Sequence, residues 1–193
     1  GYDPAGTTRP GHVLFTFAQT PSGHRVVLDV QRWQGAYSLA YATVERGWHA
    51  HRWTLLVVEN NATQGAIVEG IRQRVPELPL QPFLTGQNKA HLELGVPGLA
   101  AEIAQGTWVL CVDDLYDTHA PLREHEPLCG CAYHAWIGDL EGYPSVDRPY
   151  DALMAQWFAR QGAHAAWPPQ PPGSPSEDRR DALPEDEVSG TFL

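Results

Sequence analysis

Three carboxylates stand where the chain could bring them to one edge of a sheet. Asp3 precedes Pro4, where an extended segment must turn, Glu59 directly follows the apolar run Trp53–Val58, and Asp151 opens an amphipathic segment typical of a helix. Open α/β sheets place their sites outside the carboxyl ends of their strands. Three acids gathered there could hold two divalent ions, which stabilise the attacking and leaving oxygens of a phosphodiester. Oxygen-only ligands favour Mg²⁺ or Mn²⁺ over zinc.

Each of these acids also has an ordinary structural interpretation. Asp151 has the residue type and position of a helix N-cap, and Asp3 is a common turn residue before proline. Glu59 is the hardest of the three to explain structurally. An acid placed directly after six apolar strand residues needs a hydrogen-bonding partner or a metal ion.

The elements that must position these acids alternate between strand and helix. Val13–Phe17 and Val26–Val30 predict a hairpin, and Trp53–Val58 predicts a strand buried on both faces. Periodic apolar residues predict helices over 38–46 (closed by Gly47), 66–75, 99–104 and 152–163, with short strands over 80–84 and 108–112. A hairpin followed by strand–helix alternation predicts an α/β domain with a mixed sheet.

Composition sets the domain organisation. The chain has 193 residues with a net charge of −10, and Lys89 is its only lysine. Lys89 is followed by Ala90, so no Walker A motif exists and the chain by itself should not be an ATPase.

We expect one domain over 1–166 and a flexible, Pro-rich, acidic tail over 167–193. Two residues before Asp3 are too few for a whole strand, so we expect a piece of a longer protein.

Four segments, taken in order, carry a resemblance to a known family. They are the opening YDPAG, VVENN at Val57–Asn61, LTGQNK at Leu84–Lys89 and YDALMAQWFA at Tyr150–Ala159. In this order the chain resembles the nuclease domain of the large terminase subunit, the DNA-packaging protein of tailed bacteriophages. The similarity covers about residues 1–163, and it is the ordered set of motifs that is specific.

The resemblance implies an RNase H-like (RuvC-like) fold and a two-metal endonuclease that cuts concatemeric viral DNA into genome lengths. Asp3, Glu59 and Asp151 match the family's catalytic, metal-binding acids. The family often has two adjacent acids at the last position, but here the neighbour is Tyr150. The implied partners are double-stranded DNA, the terminase ATPase domain, the small terminase and the portal protein.

Several further residues are secondary candidates. Asp147 and Asp29 could approach the same metal ions, although a loop residue and a solvent-facing strand residue are the ordinary interpretations. Lys89 and Arg9 could contact DNA phosphates. The histidines and cysteines of HEPLCGCAYH (His125, Cys129, Cys131 and His134) could hold zinc, but Cys-x-Cys is tighter than the usual structural spacing. Asp113, Asp114 and Asp117 form a rival acidic group that also fits the first turn of a helix.

Two other functions remain open at this stage. A junction resolvase shares the same fold and carboxylates, and fold alone does not fix the substrate. A non-catalytic module that docks on DNA or the portal would suit the acidic surface. The opening residues show no signal peptide and no apolar run approaches 20 residues, so we expect a protein of the host cytoplasm with no membrane contact.

Overall fold

The three-dimensional structure is a computed structural model of the chain. It describes residues 1–4, 11–61, 64–86, 90–110, 132–143 and 150–166. Within these ranges the strands are β1 (Tyr2–Asp3), β2 (His12–Gln19), β3 (Arg25–Trp33), β4 (Leu56–Glu59), β5 (Leu80–Phe83) and β6 (Trp108–Leu110). The helices are α1 (Tyr37–His51), α2 (Gly65–Arg74), α3 (Val96–Ala104), α4 (Ala132–Gly142) and α5 (Asp151–Ala166).

The strands form one mixed sheet in the order β5-β4-β1-β2-β3-β6. β1, β2 and β3 pair antiparallel, whereas β4 is parallel to β1, β5 to β4 and β6 to β3. The turn at Pro21–Gly23 joins β2 and β3, as the hairpin prediction required. This mixed sheet with helices on both faces confirms the predicted α/β fold with a mixed central sheet flanked by helices.

Each face of the sheet is covered by its own group of helices. Tyr2, Leu14 and Val58 lie in the core that packs against α1 and α2. Val13 and Val57 belong to the cores on the opposite face, against α3, α4 and α5. Because side chains alternate along a strand, this division also fixes which face the last residues of β1 and β4 occupy.

Several helix boundaries differ from the sequence-based predictions, among them those of α1, α3 and α5. α1 passes through Gly47 and ends at His51, so the prediction that Gly47 closes this helix is wrong. A Cβ on Gly47 would lie 2.5 Å from the indole ring of Trp53, so the missing side chain makes room for that ring. The helix predicted over 99–104 begins earlier, at Val96, with Pro97 in its first turn.

Helix α4 was not predicted from the sequence. Its Trp136 is buried, and its indole Nε1–H donates a 2.8 Å hydrogen bond to Gln156 Oε1 of α5. The zinc hypothesis falls on the segment that precedes this helix. Cys129, Cys131 and His125 lie outside the described residues, as does the His134 side chain.

The tail predicted over 167–193 and the acidic group Asp113, Asp114 and Asp117 also lie outside the described residues. None of the helices in the described ranges combines the length and apolar character that a bilayer crossing demands.

One buried histidine joins the starts of β1 and β2. His12 is 1% exposed, and its ring stacks against those of Tyr2 and Trp33, which also stack on each other. Its Nε2 lies 3.4 Å from the Gly35 carbonyl oxygen, which only accepts, so Nδ1 accepts the Tyr2 hydroxyl at 2.8 Å. Burial lowers the pKa of His12, and the Gly35 contact opposes that shift.

This burial predicts a loss of stability in acid. Below pH 6.5 the unfolded chain takes up a proton that folded His12 resists, so the free energy of unfolding falls by up to about 1.4 kcal/mol per pH unit. Partial burial also lowers the pKa of the half-buried His164, which acts in the same direction. Urea unfolding at pH 7.5, 6.5 and 5.5 should show a smaller loss for His12→Gln than for the wild type. The exposed His24, changed to Gln, is the control. Equal losses in wild type and His12→Gln would contradict this account.

Candidate active site

The pairing of β1 with β4 brings two of the predicted acids side by side. Tyr2 is the register partner of Val58 in this parallel pair, so Asp3 and Glu59 are the next residues on adjacent strands. Strands paired in this way lie about 4.8 Å apart. Asp3 is 8% and Glu59 7% exposed, so both carboxylates are buried at the carboxyl ends of their strands.

Alternation along the strands sends both acids to the face covered by α5. Tyr2 and Val58 face α1 and α2, so the residues that follow them face the other side. Val57, two residues before Glu59, confirms this direction because it packs against Leu153 of α5.

Asp151 reaches the same edge from the first turn of α5. It is 8% exposed, and the next residue, Ala152, packs with Val13, the register partner of Asp3. A Cβ built on Gly11 would lie 3.2 Å from Asp151 Oδ2, so this carboxylate sits against the start of β2. The structure therefore places all three predicted acids at one edge and on one face of the sheet.

The Glu59 carboxylate is held by neutral donors. Its Oε1 accepts hydrogen bonds from Thr85 Oγ1 at 2.5 Å and from Asn61 Nδ2 at 2.8 Å. Its Oε2 accepts one from Gln64 Nε2 at 3.3 Å. These bonds supply the partners that the sequence analysis required of a buried acid at this position. None of these three donors is a cation, so these bonds bring no positive charge to Glu59.

Gln64 also links the ends of the two parallel strands. Its Nε2 donates to the Pro4 carbonyl oxygen at 3.0 Å as well as to Glu59. Its Oε1 accepts from the backbone N–H of Asn61 at 2.9 Å. The turn after β1 and the turn after β4 therefore share one buried amide, which fixes the spacing of the acids that precede them.

A fourth carboxylate, Asp139 of α4, was missed by the sequence analysis. It is 8% exposed, and its Oδ2 accepts the backbone N–H groups of Ala152 at 3.0 Å and Leu153 at 3.3 Å. Asp139 thus caps α5 at the point where Asp151 stands, a role that the sequence analysis had offered for Asp151 itself. Only the packing of α4 on α5 reveals this contact.

The charges around Asp139 are mixed. Burial raises the pKa of Asp139, and the negative charge of Asp151 adds to the rise. The two backbone N–H groups and the nearby Arg32 guanidinium oppose it. Arg32 is exposed on β3 in register with Val13, and its Nε would lie 3.6 Å from a Cβ on Gly11. One arginine therefore stands beside two of the acids at this edge.

The donor set suits a hard divalent cation, because carboxylate oxygens are the ligands that Mg²⁺ and Mn²⁺ prefer. In the described ranges, no three His, Cys, Asp or Glu side chains converge closely enough to form a ready metal-ligand group. Asp3, Glu59 and Asp151 therefore share an edge without forming a closed ligand cluster. A cavity of about 410 Å³ next to Gly1 has none of these acids in its lining.

The remaining candidates are not brought to this edge by the described structure. Asp29 is the register partner of Thr16 and lies on the α1 face, where its Oδ2 accepts a 2.5 Å hydrogen bond from Gln31. It is also 3.9 Å from His51 of α1. Arg9, Lys89 and Asp147 lie outside the described residues.

The sequence matches no protein-family model and no curated protein sequence. Similar solved structures include Thermus thermophilus RuvC, with 15% identity and a TM-score of 0.37 over 84% of this chain and 95% of that chain. The same protein in complex with a Holliday junction substrate has 14% identity and a TM-score of 0.40, over 84% and 94%. Fowlpox virus resolvase with its substrate Holliday junction DNA has 10% identity and a TM-score of 0.40, over 83% and 97%. At these identities the similarity concerns the fold alone.

The cap on α5 can be tested by removing its acceptor. Asp139→Ala leaves two buried N–H groups without their acceptor and should lower the free energy of unfolding by about 1 kcal/mol. Asp139→Asn keeps an acceptor oxygen and removes a buried charge beside Asp151, so it should lose less. Urea unfolding at pH 7 compares the two variants with the wild type. An Asp139→Ala variant as stable as the wild type would show that the cap contributes nothing.

Proposed function

We propose that the chain is a divalent-metal-dependent DNA endonuclease. The observation that carries this proposal is the placement of Asp3, Glu59 and Asp151. Each of these buried carboxylates comes from a different element, and all reach one face at the carboxyl edge of the sheet. Carboxylates buried at one edge repel one another, and a bound divalent cation would offset that repulsion.

The three acids are the residues that would hold the metal ions. When bound, a pair of divalent ions neutralises charge on the phosphodiester and makes the attacking water more acidic. The chain's own contribution is to hold the carboxylates in position, through the neutral donors on Glu59 and the capped start of α5. In the net reaction, the water oxygen joins phosphorus, the bond to the 3′ oxygen breaks, and that oxygen takes a proton.

The substrate we propose is concatemeric viral DNA, cut during genome packaging. This choice of substrate rests on the ordered motifs that resemble the terminase nuclease domain. Two of those motifs contain Glu59 and Asp151. The ATPase domain, the small terminase and the portal protein are the partners this role requires. The net charge of −10 on the whole chain disfavours tight binding to DNA phosphates. It therefore agrees with a protein that relies on such partners for most of its affinity for DNA.

The acids can be tested by changing each carboxyl to an amide. Asp3→Asn, Glu59→Gln and Asp151→Asn should each reduce Mn²⁺-dependent cleavage of supercoiled plasmid by more than about a hundredfold, because each removes a metal ligand. Glu69→Gln is a matched control, since Glu69 is exposed on α2 and bonds only within that helix to Gln73 in the described structure. EDTA should abolish cleavage by the wild type.

The same assay separates the competing functions. A preference for a four-way junction over linear duplex would replace the packaging role with that of a junction resolvase, as in the structural neighbours. Absence of cleavage in Mg²⁺ and Mn²⁺, with a folded protein and with the ATPase domain added, would favour a docking module. Cleavage that survives Asp3→Asn would overturn the assignment of the site.

A further inference from the structure

Besides the three acids, the site contains a threonine. Among the described hydrogen bonds to Glu59, the one from this threonine is the shortest. Thr85 lies two residues after the end of β5 and is 3% exposed. Its Oγ1–H donates to Glu59 Oε1 at 2.5 Å, the short range of hydrogen bonds to a charged acceptor. The contact joins β5 to β4 at the edge where the carboxylates meet.

The direction of this hydrogen bond is fixed by its neighbour. Asn61 Nδ2 lies 3.3 Å from Thr85 Oγ1 and 2.8 Å from Glu59 Oε1, and an amide N–H₂ can only donate. The Thr85 oxygen therefore accepts from Asn61, and its single proton points to Glu59.

The Asn61 amide is itself oriented by Thr85. The backbone N–H of Thr85 donates to Asn61 Oδ1 at 3.4 Å, which turns the Asn61 Nδ2 group toward the carboxylate. Thr85 thus acts on Glu59 twice, once through its hydroxyl and once through the amide that it orients. The hydroxyl and the amide both bond Oε1 while Gln64 bonds Oε2, so each oxygen of the Glu59 carboxylate has its own donors.

We propose that Thr85 is a positioning residue that sets the orientation in which Glu59 meets a divalent metal ion. The proposal rests on the proposed nuclease function and adds a residue to it. Mutation of a residue that orients a metal ligand through a hydrogen bond typically lowers metal affinity or activity 10- to 100-fold. A purely structural threonine would change stability without changing the dependence on metal.

The test compares three variants of the full chain. Thr85→Val keeps the shape of the side chain and removes the hydroxyl, whereas Thr85→Ser keeps the hydroxyl and removes a methyl group. Thr43→Val is the matched control. Thr43 is also buried, at 4% exposed, but its hydroxyl accepts from Arg46 on α1 at 3.0 Å, remote from the acids. Each variant is assayed for plasmid cleavage across a Mn²⁺ series and for direct Mn²⁺ binding by calorimetry, with urea unfolding in EDTA.

Thr85→Val should raise the Mn²⁺ concentration for half-maximal cleavage, and the Mn²⁺ dissociation constant, by about 10- to 100-fold. Thr85→Ser and Thr43→Val should stay within about twofold of the wild type, which is small beside that range. If Thr85→Val does not unfold cooperatively, Thr85→Cys replaces it, and its weakly donating thiol should give a smaller shift in the same direction.

Two negative results have different meanings. Wild-type metal dependence in a folded Thr85→Val, whatever its stability, would overturn the role of Thr85 and leave the nuclease in place. A wild-type chain that neither binds Mn²⁺ nor cleaves DNA, even with its ATPase domain, would overturn the proposed function and the role of Thr85 with it.

Discussion

The parallel pairing of β1 with β4 is the constraint on which the candidate site depends. β1 has only two residues, yet it lies in the middle of the sheet, between β4 and β2. Its register sets Asp3 beside Glu59, and the β-strand alternation sends both to the α5 face. A slip of β1 by one residue would turn Asp3 toward the apolar core under α1 and α2, away from Glu59. The register of this short strand must therefore be held by residues outside it.

The register of β1 and the position of α5 are held by buried polar groups, each with a defined partner. Gln64 ties the Pro4 carbonyl to Glu59, and Asp139 ties α4 to the first turn of α5. Burying several carboxylates together is unfavourable unless hydrogen bonds or cations offset their charge. Neutral donors serve Glu59, and Arg32 stands near the acids at the other end of the group. The carboxylates are thereby held in order at one edge, an arrangement that suits the binding of a divalent cation.

Features local in sequence were predictable, and features made by packing were not. The apolar run before Glu59 and the proline after Asp3 marked strand ends, and the hairpin was predicted from its β-branched and aromatic residues and its turn. The prediction that Gly47 ends α1 is wrong, because the missing side chain at Gly47 makes room for the ring of Trp53, which follows the helix. The roles of Asp139 and Thr85 were not predictable, because each bonds a group far from it in the sequence. Asp139 accepts from the N–H groups that open α5, and Thr85 donates to Glu59.

The central claim is that a divalent ion binds between Asp3, Glu59 and Asp151. Substoichiometric Mn²⁺ added to the ¹⁵N-labelled chain tests it directly, since the paramagnetic ion broadens the amide signals of nearby residues. The account predicts selective broadening around residues 2–4, 58–61 and 150–153, with none at this edge in Asp3→Asn. Broadening confined to other surfaces, or the same pattern in Asp3→Asn, would contradict it.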